Sequence, residues 1–210
     1  MYVKKEMVKE TMEEKKKNTK ERILLESLKL FSTNGFEAVS IRTIAAMVGI
    51  GNSALYKHFA SKQAIFDAIV ELSKERYLDQ CTNVVTSEIR GIEQLKGICL
   101  NMFRYQTSDE WTVMFRKMLM IEQFRNAKMA AIYKEFFVDI PLKRQIEIFK
   151  KLMEYGLMKN KNAEVLAMEL YAPFYMYHTV WRDENELTEL FETHAEYFFD
   201  NYINKEENEK

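Results

Sequence analysis

The sequence predicts an all-α protein of about nine helices, a small three-helix unit followed by a larger helical body. Two observations carry this. Only six glycines and two prolines interrupt 210 residues, while Met, Leu, Glu and Lys abound, so long helices are favoured over a many-turned β architecture. Apolar residues also recur at helical spacing between a small set of capping and stop signals.

Residues 1–18 are charged throughout and poor in large apolar groups, which predicts a frayed helix or a flexible arm. The first packed helix is expected to start near Asn18 or Thr19, either of which can cap, with Leu24, Leu28 and Phe31 inward. Asn34-Gly35 should end it in the left-handed conformation. Ser40 can cap a short helix over Ile41–Met47 with Ile41, Ile44, Ala45 and Val48 inward, and Gly49 closes it. A second short helix follows over Asn52–His58, with Leu55 and Phe59 turned in. Ser61 then caps a long helix from Lys62 to about Thr86.

Further helices are expected near Ile92–Thr107, Asp109–Gln123, Ala127–Tyr155, Ala163–Arg182 and Glu186–Ile203. The separators are Gly91, Ser108-Asp109, Arg125-Asn126, the 156–162 loop and 183–185. Pro141 and Pro173 fall inside helical patterns and should kink or break them, since each removes an internal hydrogen bond. The organisation that results is an arm over 1–18, a three-helix unit over 19–65, and a helical body over 66–210, joined rigidly through the helix that begins at Lys62.

The net charge of −1 conceals an asymmetry: residues 1–62 hold 12 Lys/Arg against 7 Asp/Glu, and residues 63–210 hold 19 against 25. A basic head on an acidic body suits contact with phosphate at one end only. Cys81 and Cys99 lack metal-like spacing and are too few for a disulfide scaffold, which points to a reducing cytoplasm. No apolar run has signal-peptide or bilayer-spanning length. His58, His178 and His194 are far apart, and no nucleophile elbow, zinc-ligand pair or phosphate loop occurs, so no catalytic residue, metal or cofactor is expected.

Two short helices around a glycine-containing turn, with Ala45 where they cross, have the form of a helix-turn-helix. Neither helix is long enough to be stable alone, so both must lean on Leu24, Leu28 and Phe31 and on Ile65 and Phe66. The second short helix then presents Asn52, Ser53, Ala54, Tyr56, Lys57 and His58 on one face. Its N-terminal end can enter a major groove, where Asn52 and Ser53 reach base edges and the Ala54 methyl meets a thymine methyl. Tyr56, Lys57, His58 and Lys62 are placed to hold phosphates, and Arg42 and Thr43 to touch phosphate or a flanking base.

The run from Thr19 to Lys62, TKERILLESLKLFSTNGFEAVSIRTIAAMVGIGNSALYKHFASK, resembles the DNA-binding head of the TetR family of transcriptional regulators. The resemblance lies in Phe31 and Gly35, Ser40 before Ile44-Ala45, Gly49, then Leu55-Tyr56-Lys57-His58-Phe59 and Ser61-Lys62. It covers about a fifth of the chain, and its ordered spacing is specific. It implies a homodimeric, sequence-specific repressor, released from a palindromic operator by a small hydrophobic or aromatic effector. Gly51-Asn52-Ser53-Ala54 departs from the family, which usually has Ser or Thr followed by a basic or small residue there. Gly51 is a weaker cap than Ser, so altered base preference and weaker nonspecific binding are expected.

For the body, the candidate effector-lining residues are Phe103, Trp111, Phe115, Met118, Tyr133, Phe137, Tyr171, Phe174, Tyr175 and His178, a flat and adaptable set that can equally build an ordinary core. The stripe Leu187, Leu190, Phe191, His194 and Phe198 on the last helix is the candidate dimer interface. A helical protein-interaction module with weak or no DNA binding is the alternative reading.

Overall fold

Cap and stop residues act where the sequence puts them. The computed structural model describes the backbone of residues 2–82, 92–180 and 184–204, and the side chains of 18–80, 92–177 and 186–204. Helix α1 (Tyr2–Asn34) ends at Gly35, whose φ is +82°. Ser40 Oγ accepts from the Thr43 amide at 3.1 Å to start α2 (Ile41–Val48), and Gly49 closes it at φ +75°. Arg22 adds a clamp by donating to the Val48 carbonyl at 2.7 Å. Helix α3 (Asn52–Tyr56) is two residues shorter than expected, the chain tightening through Lys57 and His58 into bonds from three residues back. Ser61 Oγ accepts from the Ala64 amide at 3.0 Å and opens α4 (Lys62–Thr82). The expected extension of α4 to Thr86, like Gly91, lies outside the described residues.

One expectation changes at the start of the chain. Helix α1 runs through the charged stretch without a break at Asn18 or Thr19. Residues 1–18 contain neither Gly nor Pro, so nothing stops a helix that propagates backwards from a packed segment.

The body continues with α5 (Ile92–Ser108), α6 (Glu110–Glu122), α7 (Ala127–Lys134), a π-helical turn (Glu135–Asp139), α8 (Ile140–Glu154), α9 (Ala163–Val180) and α10 (Glu184–Tyr202). Asp109, Asn126 and Asn162 cap α6, α7 and α9 through their side chains. Residues 127–154 form one continuous rod, so the described residues make nine rods. The disturbance expected at Pro141 takes the form of the π turn just before it. Pro141 has no N–H to offer the Phe137 carbonyl four residues back, and the Tyr171 hydroxyl donates to that carbonyl instead, at 2.8 Å. Helix α9 passes through Pro173 without ending.

Two apolar clusters hold the rods together. The first joins α1 to α4 through Leu28, Phe31, Ile44, Leu55 and Phe66, and extends into Trp111, Phe115, Met118 and Leu119 of α6 and Phe136 and Phe137 of the π turn. The three-helix head therefore shares its core with the body, mainly where α1 packs on α6. The second cluster lies among α5, α8, α9 and α10, where Phe103 stacks on Phe191 at 4.2 Å and meets Phe174 edge-on. Each fully buried phenylalanine contributes about 1.5–3 kcal/mol. The C-terminal end of α10 is tied to the α8–α9 loop by the Met158–Ile203 bridge and the Lys159 amide on the Tyr202 carbonyl at 2.8 Å.

Candidate nucleic-acid interface and effector cavity

The tripod of α1, α2 and α3 with the start of α4 turns one polar face outward. Leu55 is fully buried, and it fixes the rotation of α3 so that Asn52, Ser53, Tyr56 and Lys57 are exposed. Tyr56 is 54% exposed, too open for a residue whose role is to pack the tripod. Ala54 and His58 are half-buried, and Arg42 and Thr43 of α2 are exposed beside them. The Thr43 hydroxyl lies 2.8 Å from Ser40 Oγ, which restricts its rotation. Gly51 precedes α3 with no side-chain cap, as its lack of a hydroxyl requires.

Lys62 sits differently from the other candidates. Its ammonium donates to the Phe36 carbonyl at 2.7 Å and the Glu37 carbonyl at 3.3 Å, and lies 4.3 Å from the centre of the Phe36 ring. Two of its three donors are thus spent on clasping the α1–α2 link. Phe36 is held from the other side as well. Its amide donates to Glu122 Oε1 at 2.8 Å, and its ring packs on Phe31 and Phe66. Glu122, 4% exposed at the end of α6, reaches the link closely enough that a Cβ on Gly35 would lie 2.7 Å from its Oε1. Phe36 is therefore the point where the head, α4 and the body meet, and sequence reading missed its polar partners. Their trace in the sequence is an acid, Glu122, in the last turn of α6, three residues after the buried Leu119.

The body contains a cavity of about 570 Å³, including its open mouth, between α4, α5, α8 and α9. Tyr77, Ile98, Cys99, Met102, Gln106, Pro141, Arg144, Gln145, Ile148, Leu170, Tyr171 and Phe174 line it. Of the sequence candidates, Tyr171 and Phe174 are in this wall. Phe103 stays in the second apolar cluster, and Phe115, Met118, Tyr133 and Phe137 belong to the first. Trp111 packs against α4 and donates to Ser73 Oγ at 2.9 Å. Tyr175 lies on the outer surface, and the His178 side chain is outside the described residues. The other aromatic candidates lie away from the cavity wall, because cores select such side chains as strongly as ligands do. Burial pushes the Cys99 thiol up to about 12, so it lines the wall as an uncharged group.

The candidate dimer stripe divides between core and surface. Leu187, Phe191 and Phe198 are buried inside their own chain, against α5, α8 and α9. His194 is half-buried beside Phe191, and Leu190, 40% exposed, is the stripe member that remains open. The outer faces of α9 and α10 carry Val165, Met168, Met176 and Tyr197 instead, all more than half exposed. No helix among the described residues is long and apolar enough to cross a membrane, and no group of His, Cys, Asp or Glu among them could hold a metal ion.

Comparison with known proteins agrees with this geometry. Residues 23–69 match the model of the bacterial regulatory proteins of the tetR family. The nucleoid occlusion factor SlmA of Sodalis glossinidius is 27% identical over 164 residues, which cover 76% of this chain and 81% of that protein. SlmA of an Enterobacter species is 28% identical, covering 75% and 79%. Among solved structures, the SmeT–triclosan complex superposes with a TM-score of 0.66 at 20% identity, over 90% of this chain and 93% of SmeT. The ketosteroid regulator KstR2 of Mycobacterium tuberculosis gives 0.62 at 16%, over 89% and 95%. Residues 23–69 are thus similar to the DNA-binding head of the tetR family of bacterial regulatory proteins, and the whole chain shares the helical fold of solved regulators of that kind.

Proposed function

We propose that this protein is a transcriptional repressor that binds a palindromic operator as a homodimer and leaves it when a small, largely apolar effector enters the body. The observation that carries the reading is the joint exposure of Arg42, Thr43, Asn52, Ser53, Tyr56 and Lys57 on one face of a buried tripod. Asn52 and Ser53 read bases, Tyr56, Lys57 and Arg42 hold phosphates, and Ala54 meets a thymine methyl. Lys62 acts through the protein, by fixing the α1–α2 link. Two such heads in a two-fold dimer must lie about 34 Å apart to occupy successive major grooves.

The dimer forms through the outer faces of α9 and α10, where Val165, Met168, Met176, Leu190 and Tyr197 supply exposed apolar area at helical spacing. The effector cavity touches α4 through Tyr77, and α4 leads into the head. An occupant that fits only one arrangement of α4 therefore shifts the spacing of the heads, and one that fits both equally shifts nothing. The name of the SlmA relatives favours a second reading, a role in nucleoid occlusion. A mobility-shift assay with DNA flanking the protein's own gene is the test. A salt-sensitive complex of two chains per palindrome supports the repressor, whereas equal affinity for scrambled DNA contradicts it.

A further inference from the structure

The wall of the effector cavity specifies the chemistry of its occupant, an inference that rests on the effector reading above. Arg144 is the one formally charged side chain in that wall, and no carboxylate lines it among the described residues. At the deep end Gln106 is 1% exposed. The Tyr171 hydroxyl shares its single proton between the Phe137 carbonyl at 2.8 Å and Gln106 Oε1 at 3.2 Å, so Oε1 is the side of the Gln106 amide that faces Tyr171. Gln106 Nε2 is left buried without a partner, and so is Gln145 Nε2 in the same wall. Buried amide donors are rarely left unmade, because each forfeits its bonds to water.

Behind this wall lies a second cation. Arg116 is 4% exposed, donates through Nη1 to the Gln106 carbonyl, and has an unpartnered Nε. Among the described residues no carboxylate pairs with it. Burial lowers its guanidinium to about 10, which leaves it charged at neutral pH. A buried cation without a counter-charge is costly, and a nearby anion relieves the cost.

We propose that the cavity takes an amphipathic monocarboxylate. Its apolar body lies against Met102, Ile148 and Phe174, and its carboxylate accepts from Gln106 and Gln145 within the field of Arg144. If the Gln106 amide were turned over, the cavity would meet a carbonyl, which suits an alcohol or an ammonium. The positive charge of Arg144 and Arg116 opposes the ammonium and selects the anion.

Calorimetric titration of the full chain with octanoate, 1-octanol and octylammonium tests the proposal, alongside melting curves that establish folding of each variant. Octanoate is expected to bind at least about tenfold more tightly than the other two, as a charge-assisted hydrogen bond implies. Arg144→Met should remove about tenfold of the octanoate affinity and leave that of octanol, and Gln145→Leu should act in the same direction. Met102→Trp, which fills the cavity, should abolish binding of all three probes. Equal affinities, or a preference for octylammonium, overturn the carboxylate assignment while leaving the effector cavity standing if Met102→Trp still abolishes binding. Binding that survives Met102→Trp, or no binding of any probe at millimolar concentration, overturns the cavity reading itself.

Discussion

In the head, almost every apolar side chain has one place to go, whereas in the body the same kind of helical stripe has two. Helices α2 and α3 are so short that Ile44, Ala45, Val48 and Leu55 must all face α1 and α4, and the residues between them must face solvent. Helix α10 spans 19 residues and could turn its apolar stripe toward its own subunit or toward a second copy. It turns Leu187, Phe191 and Phe198 inward. The lesson is that periodicity fixes which residues share a face, and only the length and surroundings of the element fix what that face meets.

The sharpest way to break this comparison is to ask whether head and body melt together. Phe31 is fully buried in the cluster that α6 shares, so Phe31→Ala should cost about 3–5 kcal/mol and lower a single urea transition. A head that melts separately, with the body transition unmoved, would contradict the shared core. A smaller effect is expected at the joint. Gly35→Ala places a Cβ at φ +82° and 2.7 Å from Glu122 Oε1, and should destabilise by at least about 1–2 kcal/mol in the same measurement. Removing that acceptor by Glu122→Ala leaves the Phe36 amide buried and unmade, at about 1–3 kcal/mol. The smallest effect is at Gly51, where Gly51→Ser supplies the missing cap and should raise stability by a few tenths of a kcal/mol.

Caps and stops were legible because Ser40, Ser61, Asp109 and Asn126 act within three residues of themselves, and Gly35 and Gly49 supply a conformation other residues resist. The cavity was legible only in part. Tyr171 and Phe174 were named with eight others because an aromatic residue gives no sign of whether it meets a ligand or another ring. The better sign was polarity in the wrong place. Gln106 interrupts the inward stripe of Leu95, Cys99 and Phe103, and Arg116 sits between the buried Phe115 and Leu119. The sequence places Lys62 beside a basic face, and its acceptors on the α1–α2 link, the Phe36 and Glu37 carbonyls, become visible only in the fold. Neither Phe36–Glu122 nor Lys62–Phe36 has a spacing that a sequence pattern could mark.

The central claim is that the exposed face of α2 and α3 grips DNA, and the most direct measurement is operator affinity as a function of salt for the full chain, Lys57→Ala and Asn52→Ala. Lys57→Ala should weaken binding about equally on cognate and scrambled DNA and reduce the salt slope by about one. Asn52→Ala should cost about 1–3 kcal/mol on the cognate site and little on the scrambled one. Unchanged affinity and salt slope in both variants, with both still folded, would contradict the account.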